Sequence, residues 1–203
     1  MPKRSQDFIS SMRQVSKLTT KPLKLLITLL ISGFLAGVAF EEFIGIGTWH
    51  SYSPPTQKIN ICFTPPSGCA ALIVQQISRA KKSIQVQAFN FYSDQIAREL
   101  IKAKGRGVDV RVILDKTNNE NPKSQAARII KEGIEVVIDS SQGIAHNKVM
   151  IIDGNKVVTG SFNFSDSADT RNAENIVLIE DKDIAARYQE NWMSRYASSK
   201  PLK

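Results

Sequence analysis

The sequence predicts an α/β domain built as a layered mixed, largely parallel sheet flanked by helices. Three observations carry this expectation. Short alternating apolar runs and helical-period runs follow one another between residues 58 and 139 in a strand–helix order. After residue 139 the order changes to two strands around Asp153-Gly154-Asn155, a hairpin signal, then one more strand and an amphipathic helix. The composition, 42% hydrophobic and 23% charged, is that of a globular protein and excludes a wholly disordered or collagen-like chain.

Taken in order, KINICF alternates well enough for a strand, and CAALIVQQISRAKKS has Leu72, Ile73, Ile77 and Ala80 at helical spacing. SIQVQAFNF alternates Ile84, Val86 and Ala88 and reads as a strand. SDQIARELIKAKGRG starts on an N-cap candidate, Ser93, and ends in glycines. VDVRVILD is a strand with Val108, Val110, Val112 and Leu114, KSQAARIIKEG is a helix stopped by Gly133, and IEVVID is the next strand. KVMII and KVVTG form the hairpin, ENIVLIE is another strand, and DIAARYQENWMSRYA closes the domain as a helix.

The N-terminus reads as an address. Residues 1–24 form a basic tail that carries +5 of the formal net charge of +8, so bulk charge says little about the partners of the rest. Residues 25–44 hold sixteen uncharged residues, Leu25 to Phe40, followed by Glu41 and Glu42. The segment is an uncleaved signal anchor, a signal peptide with a small-x-small site at Gly37-Val38-Ala39, or, as the third alternative, a buried core helix. The excess of cations on its N-terminal side puts residues 41–203 outside the cytoplasm, periplasmic or extracellular-facing, and membrane-anchored if the segment stays. Residues 45–57, with Pro54-Pro55, are a linker; 58–196 are the folded domain; 197–203 are expected to fray. Cys62 and Cys69 close a short loop as a disulfide in an oxidising compartment, or else stay as two buried thiols. Two Cys and two His leave little for a zinc site.

The chemistry concentrates in IAHNKVMIIDGNKVVTGSFNFS. His146 and Lys148 are two apart on one strand and share a face; Ser161 and Asn163 do the same on the next. With a two-residue turn at Gly154-Asn155, Asp153 pairs with Lys156, Lys148 lies opposite Ser161, and His146 opposite Asn163. A nucleophile or base, a cation, a hydroxyl and an amide then converge, a set suited to an anionic tetrahedral centre such as a phosphodiester. Asp153 falls at the turn, about 16 Å along the strand from Lys148 and on the opposite face, so it is expected to be structural.

These residues carry a resemblance. His146-x-Lys148-x-x-x-x-Asp153 followed by GSFNF resembles the H-x-K-x-x-x-x-D signature of the phospholipase D superfamily. NAENIVLI places Glu174 where that family has a carboxylate, and the stretch from CFTPPSGC to VDVRVILD is similar to the small bacterial nuclease branch. The resemblance covers about residues 58–196 and implies the phospholipase D/nuclease-like fold. It implies a phosphodiesterase that uses no metal or other cofactor. His146 attacks phosphorus to form a phosphohistidine, Lys148 and Asn163 hold the non-bridging oxygens, Ser161 bonds at the same site, and Glu174 orients the imidazole. One signature per chain implies a homodimer in which two copies of His146 face one site. A nuclease acting on DNA or RNA leads; a phospholipase acting on membrane headgroups is the alternative. Arg79, Lys81, Lys82, Lys102, Lys104 and Arg106 are candidate nucleic-acid contacts, and Phe91 and Tyr92 are either base-stacking or core residues.

Overall fold

The computed structural model describes residues 58–66, 68–141 and 143–202; the basic tail, the anchor or signal segment and the linker lie outside the described residues. One eight-stranded mixed sheet runs in the order β1-β7-β6-β5-β2-β3-β4-β8. Its strands are β1 (Lys58–Thr64), β2 (Ser83–Ala88), β3 (Asp109–Asp115), β4 (Glu135–Asp139), β5 (Lys148–Ile152), β6 (Lys156–Gly160), β7 (Glu174–Glu180) and β8 (Lys200–Pro201). The helices are α1 (Cys69–Arg79), α2 (Asp94–Gly105), α3 (Ala126–Lys131), α4 (Asp166–Thr170) and α5 (Lys182–Ala197). Side chains of α1 to α4 pack on one face of the sheet, and α5 packs alone on the other through Ala185 and Trp192.

Parallel pairing is confined to β2–β3 and β3–β4. The alternation of strands and helices also predicts a parallel β1, but β1 crosses to the far edge and runs antiparallel to β7. A central parallel strand is apolar on both faces. The alternate residues Lys58, Asn60 and Thr64 make one face of β1 polar, which suits an edge. Its other face carries Ile59, Ile61 and Phe63, exposed to 52%, 59% and 62%. Cys62 is bonded to Cys69, with Cα atoms 5.7 Å apart, which ties β1 to the start of α1.

The end of the chain corrects the expected fray of 197–203. Lys200 and Pro201 pair with Ile138 and Val137, the Leu202 N–H donates to the Val136 carbonyl at 3.2 Å, and Leu202 packs on the core. Ser198 and Ser199 close α5 through their N–H groups, so the chain reverses and caps the open edge of β4.

Among the described residues no helix is long and apolar enough to cross a membrane. The segment 25–44 is not among them.

Candidate functional site

The hairpin register differs from the expectation by one residue. Ile152 pairs with Lys156 and Val149 with Thr159, so Asp153, Gly154 and Asn155 all lie in the loop. Asp153 and Gly154 both take positive φ, 53° and 67°, and the Asn155 N–H donates to the Ile152 carbonyl at 3.1 Å. Asp-Gly fits two left-handed positions better than Gly-Asn followed by Lys, which moves the turn back by one residue. Extending this register puts Lys148 opposite Gly160 rather than Ser161, and His146 opposite Phe162 rather than Asn163.

Gly160 makes the slip workable. Its φ is 148°, and a Cβ there would come 2.2 Å from the Asn175 carbonyl oxygen. Only glycine lets β6 pass that close to β7. Past it the ladder ends, and Ser161 turns to β7, where its hydroxyl donates to Glu174 Oε2 at 2.6 Å and accepts from the Asn175 N–H at 3.1 Å.

His146 and Lys148 meet directly. Lys148 Nζ lies 3.0 Å from His146 Nδ1 and 3.2 Å from Nε2, and donates to the His146 carbonyl at 2.9 Å. Both ring nitrogens face the one ammonium, and the tautomer of the imidazole sets which of them accepts from it. The imidazole is exposed while Lys148 is only 7% exposed. Burial pulls the Lys148 pKa below the usual lysine range, and the Glu174 charge offsets part of that pull. Phe89 packs against the imidazole at 4.6 Å between centroids and lies 5.2 Å from Lys148 Nζ, a cation–π contact.

The expected bond from Glu174 to His146 is not formed within the chain. Glu174 instead accepts from Ser161 and, through Oε1, from Asn172 Nδ2 at 3.0 Å. Asn163 is half-buried, and its Oδ1 is the buried side-chain polar atom left without a partner among the described residues. That orphan is an acceptor, so a bond from Asn163 to an anion has to come from its Nδ2. The site is thus two bonded pairs, His146–Lys148 and Ser161–Glu174, coupled by the charge of Glu174, with Asn163 as a third polar group on the strand extension.

Asp153 stands apart. Its carboxylate accepts from the N–H groups of Lys81, Lys82 and Ser83 at 2.7 to 3.1 Å, pinning the entry of β2 to the hairpin turn. Burial alone pushes its pKa up, but these bonds and the Lys82 charge outweigh it and hold the pKa below the usual carboxylate value. Lys81 and Lys82 therefore lie at the end of β2 remote from His146. Lys102 and Arg106 pair with Glu99 on α2, so this basic group does not line the site. Phe91 is fully buried core, whereas Tyr92 is half-buried and lines a pocket.

Some positioning residues have no signal in the motif. The Asp115 carboxylate, fully buried at the end of β3, accepts from the Ala145 N–H at 2.7 Å and so fixes the residue before His146. Thr64 Oγ1 accepts from the Glu174 N–H at 3.1 Å and donates to the carbonyls of Ala168 and Asn172. Among the described residues no group of three or more His, Cys, Asp or Glu could hold a metal ion.

A family model described as cardiolipin synthase, PLD-like domain, matches residues 73–195, more than half of the chain. The chain belongs to the phospholipase D superfamily. It is 50% identical over 142 residues to a phospholipase D of Rickettsia prowazekii (strain Madrid E), covering 70% of this chain and 69% of that one. A mitochondrial cardiolipin hydrolase of Xenopus laevis is 36% identical over 126 residues, 62% of this chain and 60% of that one. Among solved structures, the phospholipase D family member Nuc from Salmonella typhimurium superimposes with a TM-score of 0.69 at 35% identity, covering 72% of this chain and 99% of that one. Within this superfamily the chain is a phosphodiesterase, a hydrolase.

Proposed function

We propose that this phosphodiesterase is an endonuclease that cleaves nucleic-acid phosphodiester bonds through a phosphohistidine on His146. The observation that carries the chemistry is the exposed imidazole held against the buried ammonium of Lys148. The unprotonated ring nitrogen attacks phosphorus. The P–O bond to the leaving nucleoside breaks, an acid protonates the departing oxygen, and a water then displaces His146 to release the phosphomonoester. Lys148 and the Asn163 amide hold the non-bridging oxygens as charge builds on them. Ser161 completes the pocket under the grip of Glu174. No step calls for a metal, since Lys148 supplies the fixed positive charge. The likeness to Nuc, over 99% of that chain, supports the nuclease reading.

One His146 per chain leaves the acid to be found, and a homodimer sharing its site supplies it. Ile59, Ile61 and Phe63 support this reading. Three large exposed apolar side chains on one face of an edge strand are a liability unless something covers them. The stripe runs toward the site: Phe63 pairs with Asn175, which holds the Ser161 hydroxyl. A second copy seated there covers the stripe and brings two sites together. Export fits the Cys62–Cys69 bond, which persists in oxidising compartments; an uncleaved segment 25–44 holds the enzyme at the membrane.

A phospholipase acting on membrane headgroups is the second reading, favoured by the Rickettsia phospholipase D and the Xenopus cardiolipin hydrolase. Single-stranded DNA, duplex DNA, RNA and phospholipid vesicles assayed in parallel, in excess EDTA, decide between them. The expected result is nucleic-acid cleavage that survives the chelator, is abolished in His146→Ala, and leaves an acid-trapped phosphoryl label on His146. Vesicle hydrolysis without nucleic-acid cleavage selects the second reading, and a metal requirement overturns the mechanism.

A further inference from the structure

A polar pocket of about 550 Å³ opens beside the site and takes no part in the chemistry above. Its walls come from the loops after β2, β3 and β6. The backbone ties those loops together: Phe91 and Phe164 form a parallel bridge, the Tyr92 and Ser93 N–H groups both donate to the Phe164 carbonyl at 2.8 Å, and the Gln125 N–H donates to the Phe91 carbonyl at 2.9 Å. Two chain steps link it to the site. Asn90 in its wall follows Phe89, whose ring meets His146, and Phe164 follows Asn163. The pocket wall and the site are therefore built on adjacent residues of the same two chain segments.

The lining defines what fits. Asn90 and Gln125 offer amides able to donate and accept, while Asn121 is held between the Lys123 N–H and the Tyr92 hydroxyl. Tyr92 adds a phenol, set in place by a bond from Asn121 Nδ2 at 2.9 Å, and a ring face. Lys123 and Arg171 stand exposed at the rim, with no ion pair recorded among the described residues. Two carboxylates share the lining: Asp94 is paired with Arg98 and Arg128, and Asp166 stands exposed at the start of α4. Acyl chains need apolar walls, and this pocket has none to spare. Amides and a phenol match the hydrogen-bonding edges and flat face of a nucleobase, and rim cations match a flanking phosphate. The volume lies within the range of small-ligand sites, about 300–1,000 Å³. A base stacked inside a duplex cannot enter such a concavity.

We propose that this pocket binds the nucleotide adjoining the scissile phosphodiester of a single-stranded nucleic acid, the amides and Tyr92 reading the base and Lys123 and Arg171 holding the next phosphate. The inference rests on the nuclease reading and makes it specific. It predicts that single strands are cut faster than duplex of the same sequence.

The test compares a short single-stranded oligodeoxynucleotide with bis(p-nitrophenyl) phosphate, a phosphodiester with neither base nor sugar. The full chain is used, with Asn90→Ala and Arg171→Gln, two substitutions whose side chains make no hydrogen bond recorded in the fold. The ratio of kcat/KM for the oligonucleotide to kcat/KM for the small diester is expected to fall about tenfold in the double variant. Titrating a labelled single strand onto His146→Ala protein, with and without the pocket substitutions, reads the same loss as weaker binding in the absence of turnover. An unchanged ratio with active oligonucleotide cleavage, or duplex cut as fast as single strand, overturns the pocket assignment and leaves the nuclease reading intact. Turnover of vesicles with no cleavage of any oligonucleotide overturns both.

Discussion

Asp153 shows how a residue can belong to a catalytic signature and yet act through the fold. Its three backbone donors are at the turn end of the hairpin, five residues from Lys148. A group with a depressed folded pKa contributes stability that is present above its unfolded pKa and lost as pH falls through the folded value. Asp153→Asn is therefore expected to cost roughly 1–3 kcal/mol at neutral pH, through weaker bonds to the three N–H groups. The gap between wild type and variant should close as pH drops below about 4, where the unfolded carboxyl is protonated. Urea melts across that range check it; a gap independent of pH would show that the charge is not what matters. The His146–Lys148 contact was legible in the sequence because spacing puts the two on one face, whereas setting Ser161 and Asn163 opposite them rested on a register one residue off. Phe89, Asp115 and Thr64 were not legible, because each acts across a contact 30 or more residues away in the chain.

The elements show the same division. Alternation and helical period identify β1 to β7 but not the short β8, and all of these but β1 bury an apolar face against a helix layer. The register of β5 on β6 escapes pattern reading. Both strands are apolar on both faces, so a one-residue slip leaves no mark on the pattern, and the two positive φ values at Asp153 and Gly154 decide it. The destination of β1 escapes too, since strand order is a tertiary choice. At the other edge, α5 is anchored by an ion pair the pattern gives no hint of. Arg195 Nε donates to Asp139 Oδ2 at 2.7 Å, Nη2 binds the same oxygen, and Asp139 is fully buried at the end of β4. Burial pushes the Asp139 pKa up, but the bonds from Arg195 and Ser141 outweigh it and hold it low. Arg195→Ala should destabilise by about 3–5 kcal/mol, because it strands a buried carboxylate. Replacing Asp139 and Arg195 together with leucine should recover much of that loss. A single variant that melts like wild type would mean that water satisfies Asp139.

The shared-site dimer makes the largest claim on the whole molecule, and it separates into two measurements. Co-refolding wild type with His146→Ala in equal amounts gives about a quarter wild-type dimers by random pairing. With one site built from both subunits and mixed dimers dead, activity per wild-type chain falls to about half that of the pure enzyme. With a complete site in each subunit it does not change. The second measurement asks where the subunits meet. Ile61→Lys puts a charge in the middle of the exposed β1 stripe, at a position 59% exposed in the isolated chain and set against an apolar partner in the proposed dimer. The variant should fold, sediment as a monomer and lose turnover on every substrate, the small diester included. A monomer that keeps full activity refutes the shared site. A dimer that persists with the lysine in place refutes β1 as the contact and leaves the shared site standing. The acid would still come from a second His146, brought in through another face.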